Sequence, residues 1–218
     1  MSNPRAGANR SAYTSGNPAS RVALVALVAL GLSGCNRGPA RVGMPNFKPD
    51  RVAARALEEF DADGDGALNS EELQAAPGIA AAVPLMDADG NRQLTADEIA
   101  AELQKWRDEK AALISLSCRV TQKGRPVSGA QVRLVPEACF DDTIPDASGV
   151  SDAAGNADLS CDPEHKPETL KSYRAVKPGI YRVEVTHPSI TVPPEFNSST
   201  TIGAAVSLRN SNPLSIEL

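Results

Sequence analysis

Histidine is almost missing from this 218-residue chain, which has two, and aromatic side chains are scarce: one Trp, three Tyr and four Phe. Two histidines are a thin supply for hydrolytic metal chemistry. Eight aromatics are too few to line the deep cleft of a polysaccharide hydrolase. The chain also lacks His-Glu-x-x-His, Gly-x-Ser-x-Gly and a phosphate-cradling glycine loop, so no enzyme is expected. No apolar run reaches the twenty or so residues of a transmembrane helix. Bases are outnumbered 22 to 27, for a net charge of −5, and no basic face is available to neutralise nucleic-acid phosphates. Acids are absent before Asp50.

From Asp50 onward they are plentiful, and residues 50–112 hold 15 acids against 6 bases. Most of these acids fall in or beside two loops twenty-six residues apart, 61–72 and 87–98. Each loop offers oxygen at positions 1, 3, 5, 9 and 12, with an apolar residue at position 8. That spacing suits a hard cation such as Ca²⁺, which takes six to eight oxygens. The expected donors of loop one are Asp61, Asp63, Asp65, the Ala67 carbonyl, Asn69 and Glu72. Gly66 stands where the turn needs a positive φ, and Leu68 is expected to point away from the ion and pack against the other loop. Loop two supplies Asp87, Asp89, Asn91, the Gln93 carbonyl, Thr95 and Glu98. It has one carboxylate fewer, and Arg92 replaces the glycine at a strain of roughly 1 kcal/mol. Loop two is therefore expected to bind more weakly, or only to brace loop one. The full D-x-D-x-D-G-x₅-E pattern of loop one, with its less complete partner, resembles an EF-hand pair. The resemblance implies calcium as the cofactor.

Helices are expected around the loops. Val52, Ala53, Ala56, Leu57 and Phe60 form one apolar stripe, with Asp50 as a candidate cap. Ile99, Leu103, Trp106 and Leu113 form another. Between the loops, Pro77, Gly78 and Pro84 allow only short helices. Crowded carboxylates and few large apolar residues predict that cation binding and folding are coupled in this stretch.

The N-terminus reads as an address. Arg5, Arg10 and Arg21 precede the eleven-residue run Val22–Leu32, the length of a signal-peptide core. The run closes on Leu32-Ser33-Gly34-Cys35, which resembles a bacterial lipoprotein cleavage box. By that resemblance Cys35 carries the lipid, residues 1–34 are removed, and the product is membrane-anchored in the periplasm or at the cell surface. What remains holds 19 basic and 27 acidic side chains. Residues 35–49, with Gly38, Pro39, Gly43, Pro45 and Pro49, read as a tether.

Beyond the acidic segment (50–112) the pattern changes to short β-branched runs separated by Gly, Pro and Asn. Strands are predicted at 114–121, 130–135, 149–152, 157–161, 180–186 and 214–218, with weaker candidates at 172–176 and 205–208. The segments Cys118–Pro136, Ser151–Asn156 and Lys177–Val185 resemble the carboxypeptidase-regulatory-like, transthyretin-like β-sandwich. The expected fold class is thus α+β as separate domains: a helical EF-hand pair (50–112), then an all-β immunoglobulin-like or transthyretin-like sandwich (113–218). Cys118, Cys139 and Cys161 leave three disulfide pairings open, and a Cys139–Cys161 bridge would pin two long loops.

Together these features predict a calcium-binding, lipid-anchored envelope protein whose sandwich is structural or holds a protein or glycan ligand. A calcium-dependent docking module of dockerin type is an alternative. An accessory factor or enzyme acting on envelope polymer is another.

Overall fold

A computed structural model describes residues 47–218, so the signal-like run, Cys35 and most of the tether lie outside the described residues. The chain opens with helix α1 (Pro49–Phe60), Pro49 sitting in the first turn, where its missing N–H costs nothing. Lys48 occupies the cap position and makes no side-chain capping bond. Asp50 lies two residues inside, in the first turn, where its charge meets the helix dipole, so it is not the cap that the sequence suggested. Strand β1 (Ala67–Leu68) and a 3₁₀ turn (Glu72–Gln74) follow. Next come helix α2 (Pro77–Met86), strand β2 (Leu94–Thr95) and helix α3 (Ala96–Asp108). Loop one thus exits into a single 3₁₀ turn and not a full helix, and Pro77 opens α2 three residues after that turn. Leu113 falls beyond α3.

The remainder forms one large curled sheet. Its strands are β3 (Leu116–Gln122), β4 (Arg125–Pro126), β5 (Gln131–Pro136) and β6 (Ala147–Val150). They continue with β7 (Asn156–Cys161), β8 (Gly179–Thr186), β9 (Gly203–Val206) and β10 (Leu214–Glu217). The order is β10-β3-β7-β6-β5-β8-β9, with β4 paired to β3. All neighbours are antiparallel except β10 and β3, which run parallel. Alternate residues of β3, β5 and β7 are buried, among them Cys118, Val120, Val132, Leu134, Ala157 and Leu159. The weaker candidate at 172–176 reduces to a bridge between Ile114 and Val176.

The boundary expected at 112/113 is crossed by a shared core. Leu68, Ile79, Met86, Leu103 and Trp106 belong to the same buried cluster as Leu134, Tyr181 and Val206. The reason lies in α2, whose sequence Pro-Gly-Ile-Ala-Ala-Ala-Val-Pro-Leu-Met contains no polar side chain. A helix apolar all round needs cover on more than one side. It packs against α3 on one side and against β8 and β9 on the other. Among the described residues no helix is long and apolar enough to cross a membrane.

The three described cysteines are buried, unbridged thiols, so the Cys139–Cys161 bridge is not formed. Cys139 lies in the 3₁₀ segment Ala138–Thr143, while Cys161 is held at the end of β7 opposite Ala147. Burial pushes the Cys139 thiol up to about 12, and the Cys118 thiol up to about 11.

Candidate metal centre

The two loops fold alike, position by position. In loop one the carboxylate of Asp61 accepts from the Gly64 N–H at 2.7 Å and from the Gly66 N–H at 3.0 Å. In loop two Asp87 accepts from Gly90 at 2.8 Å and from Arg92 at 3.0 Å. Asp63 accepts from Asp65 N–H, and Asp89 likewise accepts from Asn91. Asp65 and Asn91 accept from Ala67 and Gln93 respectively. The last expected donor of each loop reaches back to its start: Glu72 accepts from Ala62 at 2.7 Å, and Glu98 accepts from Ala88 at 3.1 Å. Asp61, Glu72, Asp87 and Glu98 each engage the backbone through both carboxylate oxygens, so these bonds fix the side chains, and an ion would draw on the remaining lone pairs of the same oxygens.

The turn that this requires is visible in the backbone. Gly66 has φ 89° and Arg92, at the same loop position, has φ 66°. Glycine takes that conformation freely, whereas arginine is strained there, as the sequence implies. β1 and β2 then pair antiparallel, placing Leu68 opposite Leu94, both fully buried. The two loops are thereby tied back to back, with their acidic sides facing solvent.

Carboxylate oxygens of Asp61, Asp63 and Asp65 lie within 4.8 Å of one another, as do those of Asp87, Asp89 and Glu98. A hard cation 2.3–2.6 Å from each donor spans oxygens up to roughly 5 Å apart, so the residues fit such an ion. Glu72 is not in the loop-one trio, but it is 8 % exposed, and its second oxygen accepts from Asn69 N–H at 3.0 Å. Asn69 in turn accepts from Glu71 and Glu72, opening the 3₁₀ turn. Thr95 plays that part in loop two, where it forms a capping box with Glu98 at the start of α3. Burial pushes the Glu98 carboxyl up, yet the bonds from Thr95, Ala88 and Asp89 outweigh it and hold the group below its usual range.

Side chains that grip the loop helices were not evident as functional in the sequence. Buried Glu137 accepts from the Gly78 N–H at 2.7 Å. Asp141 pairs with Arg55 and lies 3.6 Å from Arg51. Arg209 bonds Glu109 at 2.6 Å and reaches Glu102, which also accepts from Trp106. Apart from the Trp106–Glu102 bond, each of these contacts spans tens of residues, so no local spacing announces it.

A groove of about 500 Å³ opens beside loop one, lined by Phe60, Ala62, Ala75 and the acids Glu59, Asp63 and Glu71. Comparison with known proteins finds no matching family model, no matching curated protein and no matching solved structure.

Proposed function

We propose that this chain is a calcium-binding protein of the cell envelope, carried on a lipid at Cys35, in which a paired EF-hand-like module braces a transthyretin-like β body. The observation that carries this reading is the matched convergence of oxygen donors in two loops joined through Leu68 and Leu94. An oxygen-only donor set selects hard cations over zinc or copper, which favour nitrogen and sulfur. The β body is then a structural element or the holder of a protein or glycan ligand. On this reading the protein binds and is not an enzyme. The groove beside loop one favours a second reading, in which the loaded loops dock a partner protein through Phe60 and its acidic rim.

Calorimetric titration of residues 36–218 with calcium tests the first reading. Saturable heat is expected, abolished at the stronger site by Glu72→Gln and at the weaker one by Glu98→Gln. A parent protein that takes up no calcium at millimolar concentration removes the proposal. Retention of a single partner protein only when calcium is present would move the weight to docking.

A further inference from the structure

All three loop-flanking helices are held by side chains from the β half. Phe47, just before α1, meets Phe140 edge to face, with ring centroids 5.3 Å apart at 86°. Two turns along α1, Arg55 pairs with Asp141. The first turn of α2 delivers its Gly78 N–H to Glu137, which is 2 % exposed. A Cβ on Gly78 would stand 2.7 Å from Glu137 Oε1 and 2.7 Å from the Tyr181 carbonyl, so this seat is closed against any larger residue.

The α1 and α2 contacts come from one short stretch, residues 137–141. Its backbone is fixed in turn. Glu137 N–H donates to the Ile180 carbonyl at 3.0 Å, and Phe140 N–H to the Glu137 carbonyl at 2.9 Å. Asp141 has φ 51° and ψ −146°, a conformation that favours glycine and persists only where neighbours hold it. α1 ends one residue before Asp61, and α2 begins five residues after Glu72. The stretch therefore grips the helix that enters loop one and the helix that follows it.

We infer that residues 137–141 form a clamp that presets loop one for its cation, with Glu137 and Asp141 as positioning residues that hydrogen-bond none of its ligands. The inference rests on the calcium reading above. Three carboxylates converge in loop one, and their mutual repulsion opposes that arrangement in the free protein. A clamp that fixes the flanking helices supplies the ordering in advance, so less of it must be supplied at binding. Loosening the clamp lowers affinity without altering any donor.

The test titrates calcium into Glu98→Gln protein, where heat reports loop one alone, and adds Glu137→Ala or Asp141→Asn. Asparagine keeps the shape of aspartate at this strained position but offers Arg55 no charge. Arg133→Ala is the comparison, because its ion-pair partners Asp146 and Glu184 both belong to the β half. Amide exchange at Gly66, Ala67 and Leu68 is followed without metal. Each clamp variant should weaken binding by at least about fivefold, the lower range of coupling between linked sites. Exchange at 66–68 should quicken in the same variants, and Arg133→Ala should change neither reading. If Glu137→Ala does not fold, Asp141→Asn carries the test alone. Unchanged affinity and exchange in the clamp variants, with the parent still binding, overturns the clamp and spares the calcium site. A parent that binds no calcium overturns both.

Discussion

Glu137 keeps a carboxyl group almost out of reach of water. Burial raises its pKa above the ordinary 4.5, while the Gly78 N–H bond and the charge of Arg182 act in the opposite sense without cancelling it. Cys139 faces the same carboxylate, which adds to the rise of the thiol. Because the folded pKa is the higher one, the stabilisation from this group is complete below 4.5 and is lost as the pH climbs through the folded value. Glu137→Gln cannot ionise. Its melting temperature should therefore gain on the parent's as the pH rises from below 4.5 towards neutrality, compared at constant ionic strength. A difference that does not change with pH would mean that the carboxylate is fully compensated where it sits.

Between the two loops, the largest contrast lies at positions 5 and 6. Asp65 and Gly66 stand where loop two has Asn91 and Arg92, and the arginine adopts the left-handed turn at φ 66°. Replacing Asn91→Asp and Arg92→Gly together adds a carboxylate and relieves about 1 kcal/mol of backbone strain. On the calcium reading, loop two should tighten towards loop one in a calorimetric titration. If it stays weak, the limit lies in the short α2 entry and not in the loop. The loops were legible because every contact that builds them is local: spacing places the donors, and the position-8 leucines announce the β1–β2 pair. The strands were legible too, since alternation in 131–136 and 156–161 reads directly as one buried face. Glu137, Asp141 and Arg209 were not. Their partners lie tens of residues away or more, and a lone charged residue after a strand looks like any solvated one. The apolar character of α2 was present in the sequence, but only the sheet shows what covers it.

Across the molecule, the shared core sets the expected unfolding behaviour. Trp106, 2 % exposed within the helical part, and the far-ultraviolet signal of the sheet should report one coincident transition. Calcium should raise that single midpoint by mass action, and by more as its concentration grows. Two resolved transitions, only the earlier one moving with calcium, would restore the picture of separate domains. The seat of α2 on β9 has a further consequence. A Cβ on Gly203 would lie 1.8 Å from the Pro77 carbonyl, so helix and strand meet backbone to backbone across more than a hundred intervening residues. A ribosome or translocation pore delivers the chain from its N-terminal side, presenting the acidic loops long before the strand that seats them. Closing so long a circuit is slow, and the helical half must wait, half-assembled, for the arrival of residue 203.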